Sequence, residues 1–509
     1  MLAFVSSCGL SGIDGFDVAV EVNLSHGMPM FEIVGLPDAS VKESRERVRA
    51  AIKNSGFSFP AERLTVNLAP ADLKKEGPSF DLPIALGMLA CMGLVEQAAL
   101  NEVCIFGELS LDGSVRPVRG ALPMVISAME RGVKRILLPA DNVNEICCVE
   151  GVEIYPVATL CAAVRHFSGQ LPISPVQPVA YRTLINRRQF SEDFCHVKGQ
   201  TKAKRALEIA AAGGHNVLMI GPPGSGKTLM ARCMPTILPD MTFEEALEAT
   251  RIHSVAGAVP VSGLLTERPF RSPHHTASHA SLVGGGPNAL PGEISKAHNG
   301  VLFLDELPEY RRDVLEALRQ PMEDGFVTIT RVNAQSTYPA RFVLICSMNP
   351  CPCGHLGSRT QQCRCTPAEI RRYLNRISGP LLDRIDMHIE VESIPADRLA
   401  DTALSEDSAS IRQRVEAARA VQQTRYAQTS LHCNAELNAR TLAWACQMRP
   451  AARELLMLST ERLKLSNRAY TRILKVARTI ADLEGAEEIN EEHISEAVQY
   501  RTLDRKYWG

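Results

Sequence analysis

Residues 216–235, "NVLMIGPPGSGKTLMARCMP", decide the fold. The apolar run NVLMI is typical of a buried parallel strand, and LMARCMP indicates a helix after a glycine-rich turn. Between them, GPPGSGKT matches the P-loop pattern in the strand–turn–helix context that it requires. Its members are Gly221, Pro222, Pro223, Gly224, Ser225, Gly226, Lys227 and Thr228. Backbone N–H groups of such a turn bind the β- and γ-phosphates, a lysine adds positive charge, and a threonine hydroxyl ligates Mg²⁺. The stretch predicts an α/β nucleotide-binding module with ATP and Mg²⁺ as cofactors.

An acidic pair follows a second apolar strand, in "GVLFLDEL" at 300–307. Its end presents Asp305 to the Mg²⁺ shell, and the adjacent Glu306 is placed to polarise the attacking water. A third apolar run, "FVLICSMNP" at 342–350, ends in Asn349, which is suited to orienting that water. We predict that all three residues act with Lys227.

Arg384 lies between two acids in "GPLLDRIDMHIEV" at 379–391. One interpretation is a local ion pair with Asp383 or Asp386. The other is an arginine finger that completes the site of a neighbouring subunit, which requires an oligomer.

The length and composition of the chain limit the number of domains and the cellular compartment that can be expected. A chain of 509 residues is too long for one core and predicts two to four domains. The longest apolar run, residues 82–95, is shorter than the ~20 residues of a membrane helix, and the N-terminus lacks a basic segment before its apolar residues. Fifteen scattered cysteines indicate a reducing compartment. We therefore expect a cytoplasmic protein with no membrane partner.

Charge is distributed unevenly. Residues 1–180 carry 14 basic against 20 acidic residues, whereas the remainder carries 41 against 37. This difference permits nucleic-acid binding by the second part but does not require it.

A proline-rich stretch, "SGQLPISPVQPVA" at 168–180, predicts a linker between domains. Before it, strand and helix patterns alternate, which indicates an α/β layer structure. From about residue 396 onward only helical patterns occur. The predicted divisions are 1–168, a linker at 169–185, an ATPase core at 186–395 and a helical lid at 396–509.

Ser79 raises the question of a proteolytic nucleophile. It lies in "KKEGPSFDLP" at 74–83, where a tight turn opens a helix predicted over residues 82–95. A helix N-terminus can stabilise a developing oxyanion, but a serine there more often caps the helix. We expect the cap.

The P-loop, the Asp305–Glu306 pair, Asn349 and Arg384, followed by a helical lid, together resemble the motifs of the AAA+ ATPases. "RPFRSPHHTAS", "PGEISKAHNGVLFLDELPEY" and "LLDRIDMHIEV" narrow the resemblance to the magnesium-chelatase-like branch. In "LSNRAYTRILKVARTIADLEG", the resemblance implies that Arg468 is the sensor-2 arginine of the lid, with Arg472 as second choice. His274 and His275 belong to these motifs, and the sequence gives them no mechanism.

The N-terminal region is similar to the proteolytic domain of Lon proteases, which implies a ribosomal-S5-domain-2-like α/β fold. "GPSFD" and "FGELSLDGSVRPVRGAL" carry the resemblance, but Leu122 stands where the dyad lysine is expected. A serine without its base is a poor nucleophile. Lys74 and Lys75 are interpreted as solvated charges, and Phe80 crowds the approach, so we interpret Ser79 as structural.

A Lon-like domain, a linker, a chelatase-like ATPase core and a helical C-terminal domain, in this order, resemble the domain organisation of the ComM/YifB family. The resemblance implies a hexameric, ATP-driven ring that acts as a DNA helicase on single-stranded and branched DNA, promoting branch migration during natural transformation. The alternative is a chelatase-type or other protein-remodelling ATPase.

A cysteine cluster follows Asn349. In "NPCPCGHLGSRTQQCRCTP" at 349–367, two C-x-C pairs, Cys351 with Cys353 and Cys363 with Cys365, are separated by nine residues. Four thiolates predict a closed structural Zn²⁺ site, with His355 as a substitute ligand and unliganded thiols as the alternative.

Two residues are candidates for contact with DNA. "FVTITRVNAQSTYPARFVLI" at 326–345 predicts a β-hairpin, with Arg331 near its tip, and hairpins at this place in related AAA+ motors point into the pore. Lys296 is the second candidate. Each could equally be a solvated surface charge.

Overall fold

The computed structural model describes residues 1–185, 190–260, 263–286, 289–331, 334–357, 361–393, 405–463 and 465–508. The predicted boundaries at residues 186 and 396 lie outside the described residues. Among the helices described, none has the length and apolarity needed to cross a bilayer.

The N-terminal region is built on a seven-stranded mixed sheet. The strands of this sheet are β1 Leu2–Ser11, β2 Asp14–Ser25, β3 Met30–Val34, β4 Arg63–Ala69, β5 Val103–Ile105, β8 Arg135–Pro139 and β9 Glu153–Val157. Two more strands, β6 Glu108–Leu109 and β7 Val115–Arg116, pair with each other in a separate ladder. The sheet order is β3-β4-β2-β1-β5-β8-β9, with β2 antiparallel to both of its neighbours and the other pairs parallel.

Six helices accompany this sheet: α1 Ala39–Asn54, α2 Asp81–Cys91, α3 Gln97–Leu100, α4 Ala121–Glu130, α5 Val143–Ile146 and α6 Leu160–Phe167. One core lies between the sheet and α1 and α2, and a second lies around α4. The helix α1 begins where the Asp38 side chain accepts a hydrogen bond from the Val41 N–H, a regular N-cap.

The central region contains a five-stranded parallel sheet of order β11-β14-β17-β10-β18. The strands of this region are β10 Val217–Ile220, β11 Phe270–Arg271, β12 Gly284–Gly285, β13 Leu290–Pro291, β14 Gly300–Leu304, β15 Phe326–Arg331, β16 Ala334–Pro339, β17 Phe342–Met348 and β18 Met387–Glu390. The strand β10 explains why the run VLMI has no polar face: Val217 and Met219 pack into one core, whereas Leu218 and Ile220 pack into the core on the opposite face. The predicted hairpin is present as β15 and β16.

The helices of the central region flank that sheet. They are α7 Tyr181–Ile185, α8 Thr201–Gly213, α9 Lys227–Ile237, α10 Phe243–Val255, α11 His279–Val283, α12 Glu293–Lys296, α13 Arg312–Glu316, α14 Arg319–Asp324, α15 Pro367–Leu374 and α16 Gly379–Leu382.

The C-terminal region, as described from residue 405 to residue 508, contains helices and no named strand. The helices are α17 Ser408–Tyr426, α18 Ala439–Ala445, α19 Pro450–Leu463, α20 Asn467–Leu483, α21 Glu491–Gln499 and α22 Thr502–Trp508. Asn490 caps α21 by accepting from the His493 N–H. The mixed α/β fold with a helical C-terminus is therefore confirmed.

The proline-rich stretch connects the two α/β regions without being a free tether. Val176 and Val179 donate backbone hydrogen bonds to Ile154 and Cys147 of the N-terminal region. The Tyr181 hydroxyl donates to the Met241 carbonyl of the central region at 3.1 Å. The helix α4 also packs near α10, where the Gly120 N–H donates to the Ser254 carbonyl.

Two expectations about Ser79 and its neighbours are wrong. The helix spans Asp81–Cys91 rather than residues 82–95. Its N-cap residue is Phe80, which makes no side-chain hydrogen bond to the helix, so Ser79 is not the cap. Ser79 instead lies in a buried 3₁₀ turn, and its carbonyl accepts from the Gly107 N–H at 2.8 Å. Lys75 is not solvated: it is fully buried, and its ammonium donates to the carbonyls of Pro70 and Leu73.

Candidate nucleotide site and cysteine cluster

The P-loop connects β10 to α9 as a compact turn. Gly224 and Gly226 have φ values of +74° and +89°, the left-handed region that favours glycine. Gly221 is required for a different reason, because a Cβ there would lie 2.3 Å from the Val391 carbonyl oxygen. The helix α9 begins at Lys227, so its N-terminal N–H groups face the turn.

Lys227 is held inside this turn. Its ammonium donates to the carbonyls of Gly221 at 2.7 Å and Pro222 at 2.9 Å, and it lies 3.4 Å from the Asn349 amide oxygen. Burial lowers the pKa of Lys227 to about 8, while the nearby carboxylates of Asp305 and Glu306 oppose that shift. Asn349, Asp305 and Glu306, three of the predicted catalytic residues, are thus near this one ammonium group.

Asp305 and Thr228 form the predicted Mg²⁺ pair. The Thr228 hydroxyl donates to the Asp305 carboxylate at 2.9 Å, so two oxygen donors lie side by side next to the phosphate turn. The same carboxylate accepts from the Ser347 hydroxyl of β17 and from the Glu306 N–H at 3.0 Å. Oxygen donors of this kind suit Mg²⁺, and the residues present fit the ion. Ser347 was not predicted, although it is the polar member of an otherwise apolar strand.

Glu306 projects from a strained backbone. Its φ of +53° lies in the left-handed region, which a non-glycine residue adopts at a cost. Its side chain is half-exposed, with the His275 Nδ1 atom 3.4 Å from the carboxylate. The His274 ring lies 4.1 Å from the His275 ring, and the Tyr310 hydroxyl donates to the Pro273 carbonyl. The unexplained histidine motif therefore lies beside the predicted general base.

Asn349 follows β17 directly and lies next to the P-loop because β17 pairs with β10 in register, Met348 opposite Ile220. The Gly221 N–H donates to the Met348 carbonyl at 3.1 Å. This is the position predicted for the residue that orients water.

The three candidate arginines have different surroundings. Arg384 is buried and donates to the Pro380 carbonyl and the Glu323 carboxylate, which is a local ion pair, though not with the aspartates flanking it. Arg468 lies in the exposed first turn of α20. Arg472, one turn later, pairs with buried Asp386.

Asp386 connects that arginine to the sheet. Its carboxylate accepts from the Asn216 N–H at 2.9 Å and lies 3.7 Å from the His215 ring. Burial disfavours the ionised form, but Arg472 and His215 outweigh burial and hold the pKa of Asp386 well below its usual range. The pair therefore ties α20 to the strand β10 that leads to the P-loop.

The four predicted cysteines lie together. Their sulfur atoms are all within 4.8 Å of one another, and Cys351, Cys353 and Cys363 have sulfur–sulfur distances of 3.4, 3.6 and 3.7 Å. Tetrahedral Zn²⁺ with Zn–S bonds of about 2.3 Å places its sulfurs about 3.8 Å apart. The N–H groups of Arg364 and His355 point to Cys353 and lower the pKa of its thiol to about 6. Burial raises the pKa of the Cys351 thiol, so it is the geometry of the four sulfurs that fits a bound metal.

The predicted DNA contacts are less well supported. Arg331 ends β15 as predicted, but its side chain lies outside the described part of the structure. Lys296 is not a solvated charge: its ammonium lies 3.2 Å from the Glu293 carboxylate, and the side chain is 20% exposed. The contact of Lys296 with DNA therefore stays a prediction, made by a side chain that already pairs with Glu293.

The Ser79 region contains no lysine base at the expected position. Leu122 is buried in α4, and Lys74 pairs with Glu76 at 2.6 Å. Asp81 instead dominates this site: its buried carboxylate accepts from Ser44, from Arg47 and from the Leu109 N–H. These contacts stabilise the fold and offer Ser79 no general base.

Known proteins match this chain along its length. The family model described as magnesium chelatase, subunit ChlI, matches residues 193–399. A second, described as subunit ChlI of Mg-chelatase, matches residues 20–142, and a model of the ChlI C-terminal region matches residues 405–501.

Two individual proteins match this chain over nearly its whole length, and a third matches its N-terminal region. The uncharacterized protein YifB of Escherichia coli K12 is 44% identical over 505 residues, which cover 99% of this chain and 98% of the relative. Competence protein ComM of Haemophilus influenzae is 43% identical over 506 residues, with the same coverage of both chains. Lon protease 2 of Bacillus subtilis is 29% identical over 119 residues, 23% of this chain and 21% of that protein, in the N-terminal region. The chain therefore belongs to the ComM/YifB family of magnesium-chelatase-like AAA+ ATPases, with an N-terminal region similar to Lon protease.

Proposed function

We propose that this protein is an ATP-driven DNA motor that acts as a hexameric ring and promotes branch migration of DNA taken up during natural transformation. The observation that carries the proposal is 43% identity to competence protein ComM over 99% of the chain. The assembled site around Lys227 supports the ATPase part of it. The unpaired cysteines fit action in the cytosol.

ATP hydrolysis follows from the groups already assembled. The P-loop N–H groups and Lys227 bind the β- and γ-phosphates, and Thr228 and Asp305 would hold Mg²⁺, which would supply positive charge to the phosphate oxygens. Glu306 accepts a proton from the attacking water, and Asn349 orients that water. His275 beside Glu306 holds the carboxylate in place.

Ring assembly is proposed to complete the site. Arg384 is the candidate finger, and it must exchange its contact with Glu323 for the neighbouring subunit's phosphates. Arg468 is exposed in the first turn of α20, whereas Arg472 is already engaged by Asp386. We retain Arg468 as the sensor arginine and Arg472 as the residue that anchors the lid.

The cysteine cluster is proposed to hold one structural Zn²⁺ through Cys351, Cys353, Cys363 and Cys365. Four sulfurs fill a tetrahedral shell, so no position is open for catalysis. His355 is not among the clustered ligand atoms.

The second candidate function is a protein-remodelling motor of the chelatase type. The match of residues 20–142 to a model described as subunit ChlI of Mg-chelatase favours it, because the N-terminal region then also has a counterpart among chelatase subunits. Proteolysis is the least supported activity, since Ser79 lacks a base.

The experiment that separates the two candidates is branch migration of a synthetic three-strand junction, with ATP and with Glu306→Gln as the matched inactive variant. The DNA motor predicts ATP-dependent product from the wild type and none from Glu306→Gln. Vigorous ATP hydrolysis without movement of any junction would favour the protein-remodelling function.

A further inference from the structure

The segment from Cys351 to Cys365, called the cysteine loop below, lies directly against the P-loop at Gly354. Gly354, next to Cys353, has a φ of +80°. A Cβ built at Gly354 would lie 2.6 Å from Pro223 Cδ and 2.9 Å from Pro223 Cγ. Pro223 is the third residue of GPPGSGKT, so the backbone of the cysteine loop fills the space beside the phosphate-binding turn and leaves no room for a side chain.

The groups that would hold a metal also fix Gly354. Its N–H donates to the Cys351 carbonyl at 2.9 Å. The N–H groups of the next two residues, His355 and Leu356, point to the Cys351 sulfur. Because Cys351 and Cys353 bracket this turn, a metal bound to both sulfurs would determine where Gly354 lies.

One end of the loop is joined to the catalytic machinery, and the other end leads into α15. The loop begins two residues after Asn349, whose amide oxygen lies 3.4 Å from the Lys227 ammonium. It ends at Cys365, and the next residue, Thr366, caps α15 in a reciprocal pair with Glu369. A displacement of the cysteine loop would therefore reach both Asn349 and Pro223.

We propose that the cysteine loop is a metal-dependent wall of the nucleotide site. Zn²⁺ on the four cysteines fixes Gly354 against Pro223 and so keeps the P-loop turn in the shape that binds phosphates. The inference rests on the proposed ATP and zinc sites and adds a coupling between them. Linkage requires the coupling to be reciprocal, so bound nucleotide must retain the metal as strongly as the metal favours the nucleotide.

A pair of glycine variants tests the contact. Gly354 and Gly357 both have left-handed backbones, with φ of +80° and +77°, but a Cβ at Gly357 meets nothing within 4 Å. Alanine therefore imposes similar backbone strain at both positions and a clash with Pro223 at only one. The measurements are the ADP dissociation constant by calorimetry and zinc content by elemental analysis, both on the full-length protein.

We expect Gly354→Ala to weaken ADP binding about tenfold or more, and Gly357→Ala to bind within about twofold of the wild type. Equal weakening in both variants would overturn the proposal, because backbone strain would then be the cause. Unchanged ADP binding in Gly354→Ala would overturn it too, whether or not that variant retains zinc.

The reciprocal measurement is zinc release to a chromogenic chelator, followed with and without ADP in Mg²⁺-free buffer. We expect ADP to slow release severalfold in the wild type and to have no effect in Lys227→Ala, which cannot hold the phosphates. We also expect chelator-stripped protein to bind ADP about tenfold more weakly and to recover with one equivalent of Zn²⁺. Release that is indifferent to ADP, or protein purified without zinc that binds ADP fully, would overturn the coupling. A wild type that binds no nucleotide at all would instead contradict the proposed function.

Discussion

Replacing Asp386 by asparagine should loosen the helical C-terminal region from the ATPase sheet. The Asp386 carboxylate is buried, pairs with Arg472 of α20 and accepts from the Asn216 N–H before β10. Removing one partner of a buried ion pair typically costs about 3–5 kcal/mol, because the remaining charge is left without compensation. The Arg472 side chain is 21% exposed, so water compensates part of its charge. We therefore expect a loss near the lower end, about 3 kcal/mol.

The assay is thermal unfolding of the full-length protein by calorimetry. At about 2–4 °C per kcal/mol for a unit of this size, the midpoint should fall by about 6–12 °C at pH 7. Asp383→Asn is the matched control: it lies three residues earlier, is half-buried and makes no ion pair in the described part of the chain. The control should unfold within about 2 °C of the wild type.

The pH dependence has a defined sign. Because the folded pKa of Asp386 is depressed, its stabilisation is present above the ordinary carboxyl pKa and is lost as the pH falls toward the folded value. The difference between Asp386→Asn and the wild type should persist from pH 8 to pH 5 and shrink below about pH 4. A midpoint shift under about 2 °C, or an equal shift in Asp383→Asn, would mean that the Asp386–Arg472 pair does not hold the two regions together.

Three further predictions address the proposed activities. Lys227→Ala should lose nucleotide binding, whereas Glu306→Gln should keep it and lose about 10²-fold or more in turnover, measured by phosphate release; normal turnover in Glu306→Gln would remove it as the base. Arg384→Ala rings should be inactive alone but regain activity when mixed with Lys227→Ala subunits, since each supplies what the other lacks; absence of any rescue would favour a purely local ion pair. Ser79→Ala should leave ATP hydrolysis unchanged within about twofold, and neither it nor the wild type should cleave casein; cleavage by the wild type alone would restore the protease reading.

Features encoded within a short stretch of chain were predicted from the sequence. The P-loop, the acids after β14 and the asparagine after β17 follow buried strands, and parallel strands bring their ends to one edge of the sheet. The hairpin of β15 and β16 and the gathering of four cysteines into one cluster were also expected from local patterns.

Features that depend on distant segments were missed. Lys75 was interpreted as solvated because its neighbours in sequence are polar, yet it is buried where its backbone N–H pairs with the Leu36 carbonyl. The Asp386–Arg472 pair joins residues 86 positions apart, and Gly354 meets Pro223 across a still longer stretch of chain. Neither contact has a local signal. The cap assigned to Ser79 failed because a 3₁₀ turn precedes the helix, and that turn is set by pairing with Gly107.

Whether this protein is a DNA motor driven by ATP is decided by its rate of ATP hydrolysis with and without single-stranded and branched DNA, at low and moderate salt. We expect strong stimulation by DNA that weakens as salt rises, because contacts to the phosphate backbone release counterions. Robust hydrolysis that is indifferent to every DNA at both salt concentrations would contradict it.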